Sequence, residues 1–156
     1  MKPSFPWYGG KKNVKDEIVK KLKTVLKVPS QTYYEPFVGG GTILLELMPK
    51  RVLVSDINCY LINLYNVMKY ELDSLIIKLD KIEDLEAKNS KLFFENNKEI
   101  FNKKRKLVKF GGKFTKSVTK EQIEMAARFY YMCKRGFGGI INVRADGYVD
   151  ARYAQT

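Results

Sequence analysis

The sequence predicts an α/β fold, and three observations predict it. A β-prone segment, Thr32-Tyr33-Tyr34-Glu35, runs through Pro36 into the glycines Gly39-Gly40-Gly41. An apolar helical run and a second short strand, Val52-Leu53-Val54, come next, and Asp56 stands just beyond that strand. Strand, glycine turn, helix, strand and carboxylate is the layout with which an open parallel sheet grips a nucleoside. The rest of the chain switches to long charged helical patterns and a hairpin signal, which predicts a helical insertion beside the sheet.

The elements follow in order. Residues 1–12 gather Pro3, Pro6, Gly9 and Gly10 around Trp7 and Tyr8 and end in Lys11-Lys12, an irregular segment. From Asn13, the expected N-cap, Val14, Ile18, Leu22, Val25 and Leu26 recur at helical spacing, lysines take the other face, and Pro29 lies beyond the end. Pro36 cannot continue a central strand, so the first strand ends where the glycine loop begins. Thr42 opens a helix that is apolar nearly all round through Ile43, Leu44, Leu45, Leu47 and Met48, as expected of one packed on a sheet, and Pro49 stops it. Val52-Leu53-Val54 reads as a buried strand, and Asn58 to about Lys69 as a second crossover helix carrying Leu61, Ile62, Leu64, Tyr65 and Met68.

From Glu71 to about Lys106 the pattern is helical and charged, with one apolar set at Leu72, Leu75, Ile76 and Leu79 and another at Phe93, Phe94, Ile100 and Phe101. Thr119-Lys120-Glu121-Gln122 fits a capping box and opens a helix through Met125, Ala126, Phe129, Tyr130 and Met132. After Gly136-Phe137-Gly138-Gly139, the run Ile140 to Arg144, the pair Asp146-Gly147 and then Tyr148-Val149 read as a hairpin with a tight turn. Residues 1–70 are thus read as the nucleoside-binding α/β part and 71–156 as a helical region ending in a hairpin.

Composition narrows the chemistry. A chain of 156 residues, 45% hydrophobic, can bury one sizeable core. No histidine is present, which excludes Ser-His or Cys-His nucleophilic catalysis and any imidazole metal site. Cys59 and Cys133 each sit in an apolar setting, so core thiols in a reducing, cytoplasmic compartment are expected rather than a disulfide framework. Neither a signal-peptide core nor a run long enough to cross a bilayer occurs, so a soluble protein without a membrane partner is expected.

The net charge of +12 favours a polyanionic partner, nucleic acid first. The densest basic stretch is Lys103-Lys104-Arg105-Lys106, Lys109, Gly111-Gly112-Lys113 and Lys116. Its glycine pair suggests a mobile loop that contacts phosphates, the competing reading being a solvated helix end.

The glycine loop discriminates among ligands. In a dinucleotide site a third glycine would stand where this chain has Leu44, and Glu35 would repel the phosphates. A P-loop needs Gly-Lys-Ser/Thr, which does not follow. A ligand that is cationic and free of phosphate fits better. S-adenosylmethionine is one, with a sulfonium, an α-ammonium, an α-carboxylate and ribose hydroxyls that donate to an acid. Glu35 or the loop carbonyls would meet its cationic end, Asp56 the ribose and Lys11 the carboxylate.

These residues resemble the Dam-type DNA adenine methyltransferases of the alpha arrangement, in which target recognition lies between cofactor site and catalytic motif. Trp7-Tyr8-Gly9-Gly10-Lys11 resembles the family's N-terminal segment, Tyr34 through Gly41 its cofactor loop, and Ser55-Asp56-Ile57-Asn58 with Leu61, Ile62 and Tyr65 its acidic loop and following helix. Arg128-Phe129-Tyr130-Tyr131 into Arg135-Gly136-Phe137-Gly138-Gly139, then the hairpin, resembles its recognition region more loosely. The resemblance implies a Rossmann-like S-adenosylmethionine-dependent methyltransferase fold with an inserted helical and β-hairpin DNA-recognition region. It implies a cofactor site of Trp7, Lys11, Glu35, Pro36, Phe37, Gly39, Gly41 and Asp56. It also implies contacts to double-stranded DNA from Lys104, Arg105, Lys113, Lys116, Arg135, Asn142 and Arg144, with adenine methylation, as in restriction-modification, as the family activity. Gly138-Gly139 and Asn142 stand where the family usually has Asn-Gly, a departure that bears on which DNA site is read.

That activity requires holding an extruded adenine by its amino group, which the family does with Asp/Asn-Pro-Pro-aromatic. The prolines here are Pro3, Pro6, Pro29, Pro36 and Pro49, no two adjacent. No catalytic residue is assigned. The expectation is an N-terminal portion inactive alone, one subunit of a split enzyme completed by a second polypeptide, or a noncatalytic cofactor- or DNA-binding protein. An incomplete sheet, with an unpaired edge and exposed apolar surface that promotes self-association, is expected with it.

Overall fold

The computed structural model describes residues 5–11, 13–28, 30–86, 90–108 and 115–154. Their contacts divide the chain into two compact units, 1–57 and 58–156, so the helix after Asp56 belongs with the second. Helices and strands are mixed, and the strands form two two-stranded sheets. No helix among the described residues is long and apolar enough to cross a membrane.

In the first unit, helix α1 spans Lys15–Val25. Its cap is Val14, without a side-chain hydrogen bond, rather than Asn13. The chain enters through a backbone turn instead: Val14 N–H donates to the Lys11 carbonyl at 3.3 Å, and the Val14 carbonyl accepts from Ile18 at 3.1 Å. Strand β1, Tyr33–Glu35, pairs in parallel with β2, Val52–Val54, in the register Tyr33 to Val52, Tyr34 to Leu53 and Glu35 to Val54. Between them lies α2, Thr42–Leu47. Tyr33, Val19 and Ile43 form a small core, with Ile18, Leu22, Leu26 and Leu47 packed against it.

The expectation of a buried second strand is corrected. Val52 is 39% exposed, Leu53 57% and its neighbour Tyr34 65%. Apolar parallel strands are normally covered on both faces. Here Tyr33 and Glu35 are covered, while Val52 beside Tyr33 and the Tyr34–Leu53 face stand exposed, so an apolar sequence did not translate into burial.

The second unit is built around α6, Lys120–Arg135, on which α3 (Cys59–Tyr70), α4 (Leu72–Glu86) and α5 (Ser90–Lys104) all pack. Helix α3 is capped by Asn58, whose side-chain oxygen accepts from Tyr60 N–H at 3.1 Å and Leu61 N–H at 3.2 Å. The α6 capping box is complete: Gln122 N–H donates to Thr119 Oγ1 at 3.2 Å and Thr119 N–H to Gln122 Oε1 at 2.8 Å. Leu61, Phe94, Phe101, Met125, Phe129 and Met132 make the core. The Tyr60 and Phe101 rings meet edge to face at 4.9 Å.

Two apolar faces differ from expectation. Leu72 and Ile76 of α4 are exposed while Leu75 and Ile82 turn inward, and on α5 Ile100 lies at the surface. The buried faces instead include Glu86, Asn97 and Asn102, polar residues that find partners inside and so disguise the helical period. Cys133 is buried as expected, whereas Cys59 is half-buried.

The hairpin joins β3, Asn142–Val143, to β4, Val149–Asp150. Arg144 N–H donates to the Tyr148 carbonyl at 2.9 Å, and Gly147 N–H to the Arg144 carbonyl at 2.8 Å. Gly147 has φ +79°, and a Cβ there would lie 2.7 Å from the Tyr60 hydroxyl, so both backbone and space demand glycine.

Candidate functional site

Short hydrogen bonds tie the glycine loop to the segment after β2. Val38 N–H donates to the Ser55 carbonyl at 3.0 Å, Ser55 Oγ to the Pro36 carbonyl at 2.9 Å, and Gly39 N–H to Asp56 Oδ2 at 2.9 Å. Trp7 lies over the loop. Gly39 has φ +51°, and a Cβ on Gly40 would stand 2.8 Å from Trp7 Cβ, so the loop must lack side chains for the indole to approach. Phe5 braces Trp7 edge to face at 6.0 Å.

The result is an open cleft of about 220 Å³ lined by Trp7, Lys11, Phe37, Gly39, Thr42 and Asp56, with Gly9, Gly10, Val38 and Gly40 completing it. Of the expected cofactor residues, Trp7, Lys11, Phe37, Gly39 and Asp56 line this cleft together. Gly41 is the left-handed N-cap of α2, and Pro36 is exposed beside the loop. Sequence reasoning took Thr42 only as a helix opener. Its signal was a hydroxyl immediately after the glycines, at the first turn of a helix.

Glu35 is buried at 5% exposure, and neither carboxylate oxygen has a hydrogen-bond partner among the described residues. Lys11 Nζ lies 3.5 Å from Glu35 Oε1 but donates its hydrogen bond to the Phe37 carbonyl at 3.0 Å. Burial pushes the Glu35 carboxyl up from its ordinary value, against the opposing pull of Tyr33 and Lys11. A buried acceptor left without a donor is costly. A ligand that brings N–H or O–H donors and positive charge relieves it, and one that brings phosphate does not. No cluster of metal-ligating side chains occurs among the described residues.

The second candidate surface is the hairpin and its supports. Asn102 holds β4 as a strand neighbour would: its Nδ2 donates to the Val149 carbonyl at 2.9 Å, and Val149 N–H donates to its Oδ1 at 2.8 Å. Tyr60 Oη donates to the Gly147 carbonyl at 2.7 Å and Lys98 Nζ to the Ala151 carbonyl at 3.0 Å. Arg105 donates from Nη2 to Asp146 Oδ2 at 3.2 Å and from Nη1 to the Asn102 carbonyl at 2.8 Å. The hairpin is therefore clamped from α3, α5 and the turn after α5.

Exposed on it are Asn142 and Arg144, the Arg144 guanidinium lying over the Tyr148 ring at 4.7 Å. Other expected basic residues are engaged inside the chain. Lys104 pairs with Glu124 at 3.0 Å, and Arg135 donates to Glu86 Oε2 from Nε at 3.0 Å and Nη2 at 2.7 Å, while Tyr131 donates to Glu86 Oε1 at 3.0 Å. Burial alone would raise the Glu124 carboxyl, but hydrogen bonds from Lys104 and Arg128 outweigh it and hold it below its ordinary value. Lys116 is exposed, and Lys113, Lys109 and the Gly111-Gly112 pair lie outside the described residues.

The family model of the D12 class N6 adenine-specific DNA methyltransferases matches residues 7–153. The chain belongs to this family. Among its relatives, type II methyltransferase M.MjaIII of Methanocaldococcus jannaschii is 29% identical over 99% of this chain and 53% of its own length. Type II methyltransferase M1.LlaDCHI of Lactococcus lactis subsp. cremoris is 27% identical over 99% and 48%, and the DNA adenine methylase of Escherichia coli K12 26% over 90% and 43%. This D12-class chain thus spans about half the length of the curated relatives it matches.

Proposed function

We propose that this chain carries the S-adenosylmethionine site and a DNA-contacting surface of an adenine-specific DNA methyltransferase, residues 1–70 serving the cofactor and 71–156 the DNA. The observation that carries the reading is the Trp7-capped glycine loop with Asp56 bonded to Gly39 and the unsatisfied Glu35 beneath it. That set fits S-adenosylmethionine: Asp56 at the cleft wall is an acceptor for the ribose hydroxyls, Lys11 supplies the cation for the carboxylate, and Glu35, buried behind the cleft lining, adds negative charge that suits the cationic end. When bound, this cofactor supplies a methyl group on a sulfonium. The chain's own residues bind and orient it, with Trp7 and Phe37 as apolar walls of the cleft.

The +12 charge and the exposed Asn142 and Arg144 on a clamped hairpin support double-stranded DNA as the partner. Base activation in the family uses an Asp/Asn side chain and a proline carbonyl as acceptors and a stacking aromatic, a motif with two adjacent prolines that these 156 residues do not contain. These residues alone therefore bind without transferring a methyl group. The bare Tyr34–Leu53 face favours completion by a second polypeptide segment over a freestanding binding role. The test is a radiolabelled methyl-transfer assay on duplex DNA, with and without a polypeptide carrying an Asp-Pro-Pro-Tyr-type half, run beside cofactor binding. Binding in both arms with transfer only in the second supports the proposal. Absence of cofactor binding by folded chain overturns it.

A further inference from the structure

A second concavity, of about 260 Å³, lies where α1 and α2 both end, away from the glycine loop in sequence, and its lining includes Lys23, Leu26, Lys27, Val28, Met48 and Lys50. Three features set it apart from ordinary surface. Its rim is uniformly positive: Lys23, Lys27 and Lys50 have no carboxylate partner among the described residues, whereas Lys15 pairs with Glu46 at 3.3 Å and Lys21 with Glu17 at 2.9 Å. Its lining also has an apolar share, from Leu26, Val28, Leu47, Met48 and Pro49. Third, Met48 caps α2 in the left-handed conformation, φ 46° and ψ 53°, with its side chain 64% exposed. Glycine takes that conformation without strain, so the fold alone does not call for methionine there, and an exposed thioether adapts to varied apolar groups.

We propose that this groove docks an acidic protein segment bearing one large apolar anchor, a contact independent of the cofactor and DNA reading. Charge complementarity selects the sign, since three unpaired ammonium groups ring the groove with no acid in its lining. The apolar share of the lining selects a peptide over nucleic acid: a phosphate backbone would satisfy the lysines yet leave the exposed Val28 and Met48 uncovered.

The test is fluorescence polarisation of the full chain with a labelled nine-residue peptide, Asp and Glu flanking a central leucine, beside the same peptide with serine in place of leucine. The expected result is saturable binding of the leucine peptide and at least fivefold weaker binding of the serine peptide. Binding is expected to fall roughly tenfold or more in a Lys23→Glu, Lys27→Glu double variant, from the sum of several exposed charge contacts. Met48→Gly, which relieves the backbone and so folds, is expected to weaken the leucine peptide alone. Absence of binding, equal binding of both peptides, or displacement by duplex DNA with no leucine dependence each overturns the proposal, the last reducing the groove to a general polyanion patch.

Discussion

Replacing Glu35 with Gln separates what this residue does for the fold from what it does for a ligand. The carboxylate is 5% exposed, its oxygens make no short hydrogen bond among the described residues, and Lys11 sits 3.5 Å away with its hydrogen bond spent on Phe37, so burial outweighs the pull of Tyr33 and Lys11. The folded carboxyl therefore holds its proton more tightly than the unfolded one. Between its ordinary value of 4.5 and the raised folded value, the native state binds more protons than the unfolded state. Glu35's contribution is thus fully present below that ordinary value and is lost as pH rises through the folded one. The Gln variant lacks this decline, so its stability relative to the wild type rises as pH passes upward through the folded value.

Cofactor binding responds oppositely. A hydrogen bond to a charged group is worth about 1.5–3 kcal/mol, so Glu35→Gln weakens S-adenosylmethionine roughly ten- to hundredfold. Wild-type affinity rises with pH across the same window while the variant's stays flat. Urea unfolding from pH 4 to 8 and calorimetric titration over the same range measure both. Parallel stability curves, or unchanged affinity in the variant, would refute the reasoning.

Two further outcomes follow from the second unit. Asn102→Ala strips both hydrogen bonds from Val149, which is fully buried, leaving a donor and an acceptor unpaired. The expected loss is about 2–5 kcal/mol in urea unfolding, and a loss under about 1 kcal/mol would mean the hairpin is not clamped as described. Duplex-DNA affinity, read by polarisation, is expected to fall steeply with salt and to drop more in Arg144→Ala than in Lys104→Ala, because Lys104 is already paired with Glu124. Equal effects, or salt-insensitive binding, would return these residues to an ordinary solvated surface.

Where local chemistry dictated structure, the sequence was legible. The capping box at Thr119 and the Asp146-Gly147 turn are each set by residues within a few positions of one another, and the two strands around the glycine loop were announced by their own short β-prone runs. Legibility failed where partners are distant. Nothing near Lys104 in sequence announces Glu124, nothing near Arg135 announces Glu86, and the basic stretch therefore read as freer than it is. Periodicity misplaced the inner face of α4 because a buried Glu86, held by Tyr131 and Arg135, is invisible to an apolar pattern. In the site, the residue types were legible, but the reason for Gly40 was not, since it lies in the approach of Trp7 from far along the chain.

The role proposed for the loop closed by Gly39 N–H on Asp56 is to receive a cationic nucleoside. Calorimetric titration of S-adenosylmethionine into the wild type, Asp56→Asn and Asp56→Ala tests it directly, with Asn retaining an oxygen for Gly39 while losing the charge. Micromolar binding is predicted for the wild type, about tenfold weaker binding for Asn and none measurable for Ala, with thermal unfolding showing all three folded. Absence of heat from a folded wild type, or equal affinity across the three, would contradict it.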